Sequence, residues 1–534
     1  MKRTINKILF PVVAVCSLAV SGLPALHIPG NQAEAAKNAP ENTGQKHLAL
    51  GYPDLKEARE TSKLANGVTY TKIVRGEASK NDFFTVDVDF VKTEEEAATL
   101  SESLSKQGYH PFVDRISNRA SDDKEKGDLG LLVRAGKFKT EQEAKELQLK
   151  LTSDGYSGLR VVFSGEDGQK TSGPWVVDVL EVNPKIYKGN IVPELSNDEI
   201  PGREKLTSMA SRDQALAGIN GGYFVMGEND GTTGDLAGIS VVGGKVLSEA
   251  VNGRSSFIFS SDGSKSDIAS VSTEQKAASS DGSVREVDGL NRKPGLIRGC
   301  GGTGGDSPTE KPKHDFSCKD PSELIAFTPE FGKKTVSGDG VEAVLDKAGK
   351  VLELRTTRGG DIPQDGTVLS GTDEATQWLL AHAKKGMKVN VSVGVSADGK
   401  RLEANKTTNI INGGPRLVKD GKISINTAAE GFHWAEDPEF YYRFGEKRNP
   451  RTLVGIKPDG HLLLVTVNGR APGYSVGANF KESAAIMKSL GAKDAMNLDG
   501  GGSTTMTVGH EMVTRPSDAT GEREVGDAIL LLPR

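Results

Sequence analysis

The run Ala495-Met496-Asn497-Leu498-Asp499-Gly500-Gly501-Gly502-Ser503-Thr504-Thr505 carries a strand-like apolar segment straight into three glycines and three hydroxyls. Before it, Phe480, Ala484, Met487 and Leu490 recur at helical spacing and Gly491 supplies the stop, so a helix leads into this strand. Successive glycines let backbone approach a ligand where a Cβ would clash, and they can aim several N–H groups at one anionic point. Two further turns lie far upstream, Asn220-Gly221-Gly222-Tyr223-Phe224 and Asn412-Gly413-Gly414-Pro415-Arg416, each after residues that read as a strand end. From Gly173 onward, short β-branched runs alternate with Gly, Asp and Asn turns, and long helical patterns are few. The expected class is α+β, with a β-rich, mostly antiparallel main domain whose three polar turns wall one cleft.

At 534 residues the chain has room for two to four domains, each with its own core. Its 67 basic and 72 acidic side chains leave a net charge of −5, which gives no global field for nucleic acid or anionic membrane. Anion binding must therefore be local. Lys2, Arg3 and Lys7 precede an apolar run from Ile8 to Val20, and Ala33-Glu34-Ala35 offers a small-residue cleavage site. This describes a secretory signal over residues 1–35, with Val15 before Cys16 disfavouring lipid attachment. No later stretch approaches the roughly 18 apolar residues that span a bilayer. The expectation is a secreted protein, soluble or held at a surface by binding. Cys300 and Cys318 then form an even pair suited to a disulfide, the alternative being a metal site with His314. No His-Glu-x-x-His, paired Cys-x-x-Cys or EF-hand pattern is present, and no cofactor is expected.

Residues 36–63 are polar without regular spacing and read as a flexible leader, followed by a first strand of the main domain within 64–79. An internal repeat comes next. Phe90-Val91-Lys92-Thr93-Glu94-Glu95-Glu96-Ala97 returns as Lys137-Phe138-Lys139-Thr140-Glu141-Gln142-Glu143-Ala144, and Gln107-Gly108-Tyr109 as Asp154-Gly155-Tyr156. Each unit reads strand, helix, glycine stop, strand, with Thr93/Glu96 and Thr140/Glu143 as capping boxes. Ala97, Leu100 and Leu104, like Ala144, Leu147 and Leu151, place both helices on one side of a four-stranded sheet. Residues 80–165 therefore form a small domain inserted into the main one, which resumes over 173–534. The repeat resembles the SPOR domain, a βαβ-βαβ module, and the resemblance implies peptidoglycan as its partner.

The longer part of the chain also resembles a known family. Leu64-Ala65-Asn66-Gly67-Val68-Thr69-Tyr70, the turns at Asn220 and Asn412, Arg448-Asn449-Pro450-Arg451-Thr452, and Asn497 to Ser503 look like the phosphodiester glycosidases. The resemblance implies cleavage of a sugar joined through its anomeric carbon to a phosphodiester, within a phosphodiester-linked glycan, and leaves the sugar open.

The residues agree with such a substrate, which carries a permanent negative charge and needs an oxocarbenium-like centre stabilised. Arg448 and Arg451 flank a proline turn, where two planar guanidinium groups suit a phosphate clamp. Ser503, Thr504 and the amides of Gly500 and Gly501 complete a cradle, although the hydroxyls also fit ordinary turn capping. Asp499 is the first choice for the essential carboxylate. Glu482, at the start of the helix, and Glu430, beside His433, are candidates for the second, and equally suit solvated or helix-start acids. Asn220, Gly221, Asn412, Gly413 and Arg416 are placed at the substrate, with Tyr223 against a sugar ring and His433 among the aromatic side chains Phe432 and Trp434. Asp235 fits calcium ligation, catalysis or capping. A noncatalytic wall or spore-coat glycan-binding protein is the alternative reading.

Overall fold

Val68–Arg75 and Trp175–Val182 are hydrogen-bonded neighbours in one sheet although the whole repeat lies between them, pairing antiparallel with Ile73 opposite Val177. The computed structural model describes residues 47–301 and 312–534, so the signal segment and the leader up to residue 46 lie outside the described residues. Beyond Trp175–Val182, the eight-stranded sheet continues through Leu462–Val467, Arg451–Ile456, Asp494–Asn497 and Arg416–Lys419. All six residues of Leu462–Val467 are buried. Val177, Leu453, Leu463 and Val465 point into one core, which the helix Phe480–Ser489 covers. Leu180, Val454, Leu464 and Met496 point into the other, shared with a five-stranded sheet that contains Ala217–Asn220 and Asp527–Leu532. A sheet covered on both faces explains why these strands read as unbroken apolar runs. Antiparallel pairing dominates, with a short parallel pair between Gly289–Leu290 and Leu324–Phe327, and the α+β expectation holds.

Residues 47–63 correct the expected flexible leader. Leu48 and Leu50 are buried in the core around Trp175, and Glu57–Ala65 pairs with Val68–Arg75 across an Asn66-Gly67 turn, where Gly67 takes φ 84°. This strand forms the sheet edge and exposes most of its side chains, so it carries no hydrophobic period to read.

The repeat folds as a four-stranded sheet in the order Pro111–Ile116, Gly130–Phe138, Phe84–Val91, Arg160–Phe163. Its helices, Glu94–Lys106 and Glu141–Ser153, both start in complete capping boxes at Thr93 and Thr140. Ala97, Leu104, Ala144 and Leu151 share one core with Val86, Val133 and Ala135.

Polar contacts fasten this unit to the larger sheets. Ser121 Oγ donates to the Ile425 carbonyl at 2.8 Å, and the Asp122 carboxylate accepts from the Ala428 and Ala429 amides at 3.0 and 2.9 Å. Buried Arg134 bonds Asp87 and Asp167, both at 2.8 Å, while Tyr442 stacks on Phe90 with ring centroids 5.8 Å apart. Breaking such a buried ionic network by removing one partner typically costs about 3–5 kcal/mol, so the unit is bolted on rather than tethered.

Candidate active site

A cleft of about 610 Å³ opens where the glycine loop meets the repeat unit. Asp499 and Gly500 to Gly502 form one wall, and Tyr223, His314, Trp434, Phe440 and Phe444 supply an aromatic floor. His314 and Asp315 arrive on the loop closed by the Cys300–Cys318 disulfide, whose Cα atoms lie 5.9 Å apart. That bond uses both thiols and removes the Cys–His metal alternative.

The three Asn-Gly turns converge, and their asparagines stitch them together. Asn220 Nδ2 donates to the Asp499 carbonyl at 2.8 Å, while its Oδ1 accepts from Thr452 Oγ1 and the Thr505 amide. Asn412 Oδ1 accepts from the Tyr223 amide at 2.8 Å, and Asn497 Nδ2 donates to Tyr223 Oη at 2.9 Å. Asp499 also lies across the sheet from Arg451, because Leu453 pairs with Asn497 and the chains run antiparallel. The glycines are required by contact: a Cβ on Gly502 would stand 2.1 Å from Arg523 Nη2, and one on Gly221 would stand 2.4 Å from an Asp527 carboxylate oxygen.

The cleft is rich in guanidinium groups. Arg254 and Arg451 are buried at its base, and Arg160 and Arg470 are exposed at its rim. Among the described residues, none of these four lies in an ion pair with a carboxylate. Arg451 spends Nε and Nη2 on the carbonyls of Ala478 and Phe444 and sits over the Phe480 ring at 4.4 Å. Arg254 Nε donates to the Glu430 carbonyl, and its buried Nη2 has no partner among the described residues. Burial pulls both arginines down to about 10. Arg470 occupies the left-handed region at φ 51°, a strained conformation of the kind that collects at functional sites.

Two of the cleft aspartates, Asp315 and Asp499, are driven apart. Burial pushes Asp499 up to about 7, opposed by Ser503, Arg523 and the Gly500 amide and assisted by the charge of Asp315. Burial also acts against ionised Asp315, but the charged Arg298 and Arg254 help to outweigh it and hold that carboxyl below its ordinary value. Desolvation lowers His314 to about 3, leaving a neutral imidazole.

These features fit the family comparisons. A family model for phosphodiester glycosidase matches residues 339–532, and one for the SPOR domain matches residues 80–161. A crystal structure of a Burkholderia pseudomallei K96243 protein described as exported superposes with a TM-score of 0.83 at 31% identity, covering 91% of this chain and 98% of that one. The chain carries a phosphodiester glycosidase domain and a SPOR domain. Mouse N-acetylglucosamine-1-phosphodiester alpha-N-acetylglucosaminidase is 26% identical over 163 residues, and the bovine enzyme is 34% identical over 116. Those matches span 30% and 21% of this chain and the same shares of the two enzymes, less than a third of either. A Synechocystis protein shares the fold at a TM-score of 0.53 and 17% identity, covering 91% of this chain and 80% of that one.

Several expected site residues serve the scaffold instead. Glu482 completes the capping box of Phe480–Ser489 and pairs with Arg448 at 2.7 Å. Arg448 also donates to the carbonyls of Gly165, Asp167 and Gln169, so it bolts the return from the SPOR domain and is no phosphate clamp. Glu430 is sealed inside, accepting from the Ser255 amide and hydroxyl and the Arg416 amide. Arg416 is buried with Nη2 on the Ile268 carbonyl. His433 faces Asp123 of the SPOR domain at 3.0 Å rather than a sugar. Asp235 lies in a small separate cavity of about 30 Å³. Asn220, Gly221, Asn412, Gly413, Ser503 and Thr504 stand behind the cleft wall, whereas Tyr223, Arg451, Asp499, Gly500 and Gly501 line it.

Sequence reasoning passed over Arg254, Arg298, Asp315, Arg470, Arg523 and Asp527. Asp527 is the acid of an otherwise apolar strand; its Oδ1 accepts from the Gly222 amide at 2.8 Å, and burial drives it up to about 7. A lone acid in such a strand was the one signal available for it.

Proposed function

We propose that the protein is an exported hydrolase that cleaves a sugar-1-phosphodiester in a cell-wall or extracellular glycan, with its SPOR domain holding it at peptidoglycan. The observation that carries this reading is one cleft holding Asp499, whose carboxyl burial pushes up to about 7, beside buried arginines that have no carboxylate partner among the described residues. A buried guanidinium without a counter-charge is costly, and a bound phosphodiester supplies the missing anion.

Chemistry follows from the separated acids. A proton donor and an ionised carboxylate in one cleft are the usual acid and base of glycosyl transfer to water. Arg254 and Arg451 hold the phosphate oxygens. Asp499 gives its proton to the bridging oxygen as the bond from the anomeric carbon to that oxygen breaks. The Asp315 carboxylate stabilises the cationic ring and takes a proton from the water whose oxygen bonds to that carbon. The products are a free sugar and a phosphomonoester, and Asp499 regains its proton from Asp315 through solvent.

The printed activity of the mammalian relatives makes an N-acetylglucosamine-1-phosphodiester the first substrate to assay. Wild-type protein is expected to release reducing sugar, and Asp499→Asn to release none. Binding without turnover by the wild type would replace this reading with the glycan-binding one. Hydrolysis in ¹⁸O water is expected to label the sugar; label in the phosphate would mean that the phosphorus–oxygen bond breaks instead.

A further inference from the structure

The cleft does not end at the domain boundary. A second cavity of about 380 Å³ continues from it and shares Arg160, Arg443, Asn449 and Arg470 with the first. Arg160 opens the strand Arg160–Phe163, which is the edge of the SPOR sheet and bonds on one side to Phe84–Val91. The apolar wall of the second cavity is Phe84, Val161 and Phe163, with the two phenyl rings 5.0 Å apart.

The charges along this passage are unequal in their commitments. Glu141 pairs with Lys145 at 2.6 Å, and Glu166 lies 3.7 Å from Lys447. Arg443 is engaged by Asp87 and Glu439. Among the described residues Arg160 and Arg470 have no acidic ion-pair partner, and they line both cavities where these meet. The fastening of the SPOR domain through Arg134, Asp122 and Tyr442 keeps Arg160 in place relative to Asp499.

We propose that this passage is a second anion subsite, built jointly by Arg160 of the SPOR domain and Arg470 of the catalytic domain, and that the enzyme acts on a polymer in which phosphodiester groups repeat. The inference rests on the proposed cleavage of a sugar-1-phosphodiester and extends it from a single bond to a chain. One repeat sits at Asp499 while the phosphate of the next repeat lies between Arg160 and Arg470, its sugar against Phe84 and Phe163. The SPOR domain is thus part of the substrate site as well as a wall anchor. Linking two sites on one ligand raises affinity without any new contact at the reacting bond.

The test uses the full-length protein and methyl-capped N-acetylglucosamine 1-phosphodiester probes of one, two and four repeats. With Asp499→Asn protein, calorimetry is expected to show at least tenfold tighter binding of the two-repeat probe than of the one-repeat probe, and Arg160→Gln is expected to bring that ratio close to one. Arg160→Lys should retain part of it, and 0.5 M salt should reduce it, since exposed charges are screened within about 3–10 Å at such ionic strengths. Equal affinity for one and two repeats, or a ratio indifferent to Arg160→Gln, overturns the inference. Because binding is read separately from turnover, hydrolysis of the one-repeat probe without any length preference would sink the subsite and leave the proposed activity standing.

Discussion

Asn220 Nδ2 donates to the backbone carbonyl of Asp499 across 2.8 Å, so the first polar turn holds the acid of the last one in place. The same amide group, through Oδ1, ties down Thr452 and Thr505. Asn220→Ala removes all three bonds from a buried site, and each unsatisfied buried group costs about 1–3 kcal/mol. The expected result is a clear loss of melting temperature together with at least a tenfold drop in kcat. Retention of full kcat would show that the loop keeps its shape without this brace.

Activity should follow a bell in pH. The alkaline limb belongs to Asp499, which must be protonated and is pushed up to about 7. The acid limb belongs to Asp315, held below the ordinary carboxylate value with the help of Arg298 and Arg254. A kcat/KM profile that stays flat from pH 6 to 9 would remove Asp499 from the role of proton donor.

Arg254 and Arg451 should matter in proportion to substrate charge. Arg254→Ala or Arg451→Ala is expected to reduce kcat/KM on a sugar phosphodiester by roughly a hundredfold, the worth of about 2–3 kcal/mol for a charge-assisted hydrogen bond. If either variant hydrolysed the phosphodiester as well as wild type, the phosphate would have to sit elsewhere.

Stability should fall as the medium becomes alkaline. Asp499 and Asp527 are both raised from 3.8 to about 7, so between those values the folded chain binds more protons than the unfolded one. Their contribution is complete below pH 3.8 and is lost as pH rises through 7, by up to about 4 kcal/mol for buried Asp527 and by less for half-buried Asp499. Asp527→Asn keeps an acceptor for the Gly222 amide and abolishes one titration, so it should flatten the decline in thermal midpoint between pH 5 and 8. An unchanged slope would count against a raised Asp527.

Asp122 caps the segment after Ile425 by accepting from two successive amides and Thr427. Asp122→Ala should loosen the seat of the SPOR domain, seen as faster hydrogen exchange over residues 425–433 with the SPOR core itself still protected. Uniform exchange in both proteins would show that the other contacts suffice.

The local elements were legible because their signals are local. Capping boxes at Thr93 and Thr140, the apolar face of Phe480–Ser489 and the turn residues Asn-Gly each express a backbone requirement within a few positions. The roles of polar side chains were not, because an arginine reaches several ångströms and its partner is chosen by whatever folds beside it. Arg448 and Arg451 look equivalent in sequence, yet Glu482 claims one while the other faces the cleft. Asp315 and Asp499 are separated by most of the domain and meet through the disulfide loop and the sheet.

By itself, then, the sequence determined the repeat, the α+β character and three glycine turns, since periodicity and φ preference are properties of short segments. Only the tertiary structure decided which acid is buried enough to keep its proton, which arginines are left without partners and that the SPOR edge joins the cleft. Burial and charge pairing are set by distance in space, and neighbours along the chain do not fix it.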